Sequence, residues 1–252
     1  MAAPIVMVHG AFCGGWAFEA FRAPFEAAGH TVLTPDLRGH GEAGGLVAGL
    51  SMTDYAKDIA ALCASLPEPP ILIGHSLGGL VCQLAAKRAP LKALVLLAPS
   101  PPWGVAGSSM EEAVTAFGLM MGAAFAQSIS PDRTLMRTYS LDRMPDVERE
   151  ATVQRLRPES GRALWEALNW WLDPFMTTSV GTGGIGVPCL VMVGQRDVVH
   201  PPMTARQTAQ RLAADYIEMA GMSHWLLGET GWQDVATQAW DWLERLDARA
   251  PA

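Results

Sequence analysis

A chain of 252 residues, half of them hydrophobic and 17% charged, is long enough for one substantial domain with an insertion and too apolar to stay disordered. Its formal net charge of −7, with no basic stripe, argues against a nucleic-acid partner. Cys13, Cys63, Cys82 and Cys189 are scattered, with no CxxC pair and no histidines at metal-ligand spacing, and read as reduced core thiols of a cytoplasmic protein.

The opening residues lack a charged leader, and no apolar segment is long enough to span a bilayer, so neither a signal peptide nor a membrane partner is expected. Short apolar runs bounded by Gly or Pro predict strands buried on both faces at 5–8, 31–33, 71–73, 93–97, 189–193 and 216–219. Helical patterns alternate with them at 18–28, 53–66 (with Thr53 as N-cap), 77–88, 202–212 and 231–246. This alternation implies an α/β fold: a parallel sheet covered by helices on both faces.

Residues 100–186 break the rhythm. They show helical patterns opening at the capping box Ser109 to Glu112, at Ser130-Pro131, at Pro145 and at 158–160, with no convincing strand, and a glycine-rich return at 181–186. The reading is a core of 1–99 and 187–252 with a helical cap, 100–186, inserted after the fourth strand. Its aromatic and methionine side chains, Trp103, Met110, Phe117, Met120, Met121, Phe125, Trp165, Trp170, Trp171, Phe175 and Met176, are expected mostly to fill core, with some lining a pocket.

The strongest chemical signal is Gly74-His75-Ser76-Leu77-Gly78, because a strand enters it and a helix leaves it. Such a turn strains the serine backbone and lifts the hydroxyl above the carboxyl end of the sheet. There the helix N-terminus favours developing negative charge. A serine needs a base, and His224, on the loop after the last strand, is the best placed. His75 is expected to point elsewhere, His9 to order neighbouring loops, and His200 to be a loop residue; His30 and His40 precede the turn. Asp197, just past the fifth strand, is the carboxylate to orient the base, and Ala98-Pro99-Ser100 offers no acid at the alternative position. Backbone N–H groups of Leu77 and Ala11 are the expected oxyanion donors. Phe12, Trp103 and Trp225 are the candidate substrate contacts.

With these residues in view, the chain resembles the α/β-hydrolase superfamily over essentially its whole length. Its opening, Val8-His9-Gly10-Ala11-Phe12-Cys13-Gly14-Gly15-Trp16, is similar to plant methylesterases and related bacterial esterases. The stretch Asp36-Leu37-Arg38-Gly39-His40-Gly41 looks like a loop common to the superfamily, in which Asp36 and Arg38 tie loops together. The resemblance implies an α/β-hydrolase fold of about six mainly parallel strands, lacking two leading antiparallel strands. Ser76, where dehalogenating and epoxide-opening relatives carry aspartate, disfavours those chemistries. Ala11 and Trp225, in place of the threonine and lysine of hydroxynitrile lyases, disfavour lyase activity.

No metal, flavin or nucleotide cofactor is implied. The favoured function is hydrolysis of a small apolar or aromatic carboxylic ester through an acyl-enzyme. A lactonase, thioesterase, amidase or carbon–carbon bond hydrolase with the same triad remains an alternative, as does a ligand receptor with a vestigial triad. The sequence leaves the oligomeric state open.

Overall fold

The computed structural model describes residues 2–107 and 127–249. Six strands, β1 (Ile5–Val8), β2 (Val32–Leu33), β3 (Ile71–His75), β4 (Ala93–Leu97), β7 (Cys189–Gly194) and β8 (Asp215–Met219), form one sheet in the order β2-β1-β3-β4-β7-β8. Every pairing in it is parallel. The chain leaves β1 toward one edge and returns to β3 on the other side. The crevice at the carboxyl ends of β1 and β3 is therefore the switch point where open sheets of this kind bind ligands.

The central strands are buried on both faces. One face packs Ile5, Met7, Ile73 and Val95 against Phe18, Phe21, Phe25 and the C-terminal helix. The other packs Val6, Val8, Leu72 and Leu94 against the helices following β2, β3 and β7. The edge strands β2 and β8 are only partly buried, unlike the fully buried strands expected.

Local chemistry explains where elements begin. The expected helix over 18–28 resolves into a 3-10 turn, Gly15–Phe18, and a separate helix α1 (Ala23–Ala27). Pro24 has no N–H to continue a helix but suits a first turn. Helix α2 (Met52–Ser65) is capped by Ser51 rather than Thr53. The Ser51 hydroxyl accepts from the Asp54 amide (3.1 Å), and the Asp54 carboxylate accepts from the Ser51 amide (2.9 Å). Helix α3 (Leu77–Ala85) follows β3 directly.

Between β4 and β7 the expected helix at 109–112, with Met110, Phe117, Met120, Met121 and Phe125, lies outside the described residues. The described part contains a two-stranded antiparallel pair, β5 (Ser128–Ile129) with β6 (Glu159–Ser160), which corrects the strand-free reading. Two residues per strand are too few for a period to show. A helical turn at Arg133–Leu135 runs into a π-helical turn at Met136–Ser140, where the Leu141 amide donates to the Met136 carbonyl (2.9 Å). Helices α4 (Asp146–Arg155) and α5 (Gly161–Leu168) follow. Trp171, Phe175 and Met176 are exposed rather than core, Phe175 at 87%. Helices α6 (Pro202–Leu212) and α7 (Trp232–Arg249) complete the α/β layers.

The region between β4 and β7 is pinned to the α2 end of the core by buried polar bonds. Glu159 is fully buried; its carboxylate accepts from the Tyr55 hydroxyl (2.7 Å) and lies 3.2 Å from His40 Nε2. Ser160 Oγ donates to the Leu50 carbonyl (2.6 Å), and Glu166 accepts from the Met52 amide (2.8 Å) at the positive end of α2. Burial opposes charge on both His40 and Glu159, but each outweighs that cost for the other. The His40 pKa is accordingly raised and that of Glu159 lowered.

Candidate active site

The sheet delivers its chemistry at the carboxyl ends of five strands. After β3, Ser76 adopts φ 51°, a left-handed conformation costly for a residue with a Cβ, by about 1–3 kcal/mol. Its neighbours over-determine it. The Ser76 amide donates to the Leu97 carbonyl, and its carbonyl accepts from the Gly79 and Ser100 amides, all within 3.0 Å. Phe12 (φ 66°) and Ala98 (φ 45°) bring positive-φ backbone to the adjacent strand ends.

Glycine at 78 is a packing requirement. A Cβ there would lie 2.3 Å from the carbonyl oxygens of Val8 and His9. This contact presses the end of β1 onto the first turn of α3, so Ala11 and Leu77 both line one cavity. As the first residue of α3, Leu77 has an amide without an intrahelical acceptor.

Ser76 Oγ lies 3.1 Å from His224 Nε2, and His224 Nδ1 lies 2.9 Å from Asp197 Oδ2. A carboxylate only accepts, so His224 carries its proton on Nδ1 and offers Nε2 as acceptor to the serine hydroxyl. The other Asp197 oxygen accepts from the amides of Val199 (2.8 Å) and His200 (2.9 Å). The loops carrying acid and base are interlocked. A Cβ on Gly194 would fall 2.0 Å from the Ser223 carbonyl, and the Arg196 amide donates to the Met222 carbonyl (2.8 Å). Behind the base, buried Glu229 accepts the Ser223 amide through both oxygens (2.9 and 3.0 Å). Burial pushes its pKa up to about 7.

The remaining histidines divide clearly. His9 Nδ1 donates to the Gly10 carbonyl (2.9 Å) and Nε2 accepts from the Leu37 amide (3.0 Å), tying two loops as expected. Burial lowers its pKa to about 4. His75 does not point away from the site. Its Nε2 donates to the His224 carbonyl (3.0 Å), its ring centroid lies 5.0 Å from that of His224, and burial pushes its pKa down to about 3. His200 is more than a loop residue: it lines the cavity, its ring 5.4 Å from that of His224. Asp36 and Arg38 act as ties, Asp36 accepting the Gly15 amide (2.7 Å) and Arg38 pairing with Asp58 on α2.

Ser76 and His224 open on a cavity of about 460 Å³. Phe12 and Trp225 line it on the sheet side, while Met136, Tyr139 and Leu164 line it from the region between β4 and β7. Trp103 does not. Its ring packs on Trp170 (5.4 Å), and its carbonyl accepts from Arg211 (3.0 Å). Of the cavity residues that sequence reasoning missed, among them Ser100, Met136, Tyr139 and His200, two had an available signal: Ser100 lies three residues past the end of β4, and His200 follows Asp197 by three positions. Among the described residues no group of three or more His, Cys, Asp or Glu side chains is arranged to hold a metal, and no helix is long and apolar enough to cross a membrane.

The sequence pattern of the alpha/beta hydrolase family matches residues 5–238. The chain is 40% identical over 109 residues to salicylic acid-binding protein 2 of Nicotiana tabacum, covering 41% of this chain and 42% of that protein. It is 38% identical over 96 residues to methylesterase 3 of Arabidopsis thaliana, covering 35% of each. The matched stretches thus span about two fifths or less of these relatives. A solved Arabidopsis methylesterase superposes with a TM-score of 0.71 at 18% identity, covering 99% of this chain and 100% of that one, a likeness of fold.

Proposed function

The chain belongs to the alpha/beta hydrolase family, and on that premise we propose that it hydrolyses a carboxylic ester through a serine acyl-enzyme. The observation that carries this reading is the unbroken chain from Ser76 through His224 to Asp197, at 3.1 and 2.9 Å, opening on a largely apolar cavity. Ser76 Oγ attacks the ester carbonyl as its proton passes to His224 Nε2. Asp197 holds the imidazole in the required tautomer and stabilises its cation. Negative charge developing on the carbonyl oxygen is received by the amides of Ala11 and Leu77. Collapse of the tetrahedral intermediate expels the alcohol, which takes the proton from His224. Water then attacks the acyl-enzyme with the same histidine as base and releases the acid.

The substrate is a small, largely apolar or aromatic ester. A cavity of about 460 Å³ suits such a molecule, and Phe12, Met136, Leu164 and Trp225 offer it apolar contact. The similarity to a relative named methylesterase supports a small alcohol portion. The described part of the region between β4 and β7 serves as a cap, with Met136, Tyr139 and Leu164 facing the cavity from the side opposite the sheet. Four buried, unpaired cysteines support a reducing compartment such as the cytoplasm.

Hydrolysis of a p-nitrophenyl ester series, from acetate to long acyl chains, tests the reading with wild type and Ser76→Ala side by side. Short and medium esters should turn over, and the variant should lose ~10⁴–10⁶-fold in kcat with its melting temperature retained. Near-wild-type turnover by the folded variant would sink the mechanism.

A further inference from the structure

The cavity holds a second serine–histidine contact that the proposed proton path does not use. Ser100 Oγ lies 2.9 Å from His200 Nε2, and both residues line the cavity while being only 4% and 3% exposed. Both nitrogens of His224 are already engaged, one by Asp197 and one by Ser76. His200 therefore adds no link to that chain.

Both residues are rigidly supplied. The positive φ of Ala98 (45°) turns the chain at the end of β4, and the Ser100 amide then donates to the Ser76 carbonyl (3.0 Å). The Ser100 carbonyl accepts from Gln83 (3.2 Å). The His200 amide is held by Asp197, and its ring stands edge-on to His224. Burying the Ser100 hydroxyl beside Phe12, Leu164 and Trp225 costs desolvation, which its contact with His200 offsets only in part. A serine hydroxyl has one donor and two acceptor positions, and the contact with His200 uses one.

We propose that Ser100 and His200 form a polar subsite that reads a hydroxyl or keto oxygen carried by the substrate close to its scissile carbonyl. This deepens, and rests on, the ester-hydrolase reading. The position follows from the main-chain bond between Ser100 and Ser76, which sets the subsite beside the acyl carbon. The choice of hydroxyl or keto oxygen follows from the pair itself. Ser100 can donate or accept according to the tautomer of His200, so the pair serves either group, whereas neither residue supplies the fixed positive charge that would select a carboxylate. Substrates of this class are hydroxy or keto esters with an apolar or aromatic remainder.

The test compares methyl mandelate with methyl phenylacetate, which differ by one hydroxyl on the carbon next to the carbonyl. Wild type should favour the hydroxylated ester about tenfold in kcat/KM. Ser100→Ala should bring that ratio close to one, and Ser100→Thr, which keeps the hydroxyl, should restore most of it. Affinity measured calorimetrically in a Ser76→Ala background separates this proposal from the one beneath it. The same preference should appear there and vanish in the Ser76→Ala/Ser100→Ala double variant. Binding that discriminates without turnover by wild type would leave the subsite standing and remove the ester-cleavage reading. Turnover of both esters at equal kcat/KM, equal losses on both in Ser100→Ala, or equal affinities would overturn the subsite.

Discussion

Among the described residues two buried histidine–carboxylate pairs each meet a hydroxyl, and one of the two borders the cavity at the sheet's switch point. In the first, the hydroxyl of Ser76 meets the far nitrogen of His224, so serine, imidazole and Asp197 run in series. In the second, the hydroxyl of Tyr55 donates to one oxygen of Glu159 while His40 faces the other, and the second nitrogen of His40 is engaged by the Arg38 carbonyl (3.2 Å). The same three kinds of group are thus arranged once as a relay with an acceptor facing a hydroxyl and once as a closed cluster. A histidine–carboxylate contact is therefore no sign of catalysis by itself. The order of the groups and their access to a cavity decide.

That contrast can be broken by exchanging the acid of each pair for its amide. Asp197→Asn forces the wrong tautomer on His224 and should lower kcat ~10⁴-fold while the melting temperature stays near that of wild type. Glu159→Gln should do the reverse. It takes the carboxylate away from buried His40 and Tyr55 and should cost about 1–3 kcal/mol in denaturant unfolding, with kcat per folded molecule largely retained. A Glu159→Gln protein that stayed stable but lost kcat would mean the second cluster takes part in the chemistry.

The smallest effect sharpens the first region. Glu229 faces Asp197, Asp142 and Arg143 and holds the loop of the base. Its folded-state pKa of about 7 lies above the usual 4.5, so its stabilising contribution is complete below about pH 4.5 and is lost as pH rises through 7. Between pH 5 and 8 the melting temperature of wild type should fall further than that of Glu229→Gln. Parallel curves for the two proteins would show that Glu229 does not titrate there.

The relay was legible in the sequence because each part follows a strand end that local pattern reveals: Ile71 to Ile73 before Ser76, Cys189 to Val193 before Asp197, Tyr216 to Met219 before His224. The closed cluster was not. Glu159 meets Tyr55 and His40 from more than 100 positions away, and no period or motif announces such a contact. Trp103 was misplaced for a related reason. Aromatic composition says that a side chain will be covered, not by which surface. The helix start at Ser51 was within reach of the sequence, since Ser51 and Asp54 have capping-box spacing, whereas the paired strands at 128–129 and 159–160 are too short to leave a signature.

The polar pins between α2 and the region from β4 to β7 bear on how this protein can change over generations. Recombination that swaps the covering region between relatives is an attractive route to new substrates, because the sheet and its relay stay untouched. Here the incoming piece must supply an acid for His40, a second acid for the Met52 amide and a hydroxyl for Leu50. A donor lacking them strands polar groups in a dry interior. Inheritance is therefore constrained at residues that touch no substrate.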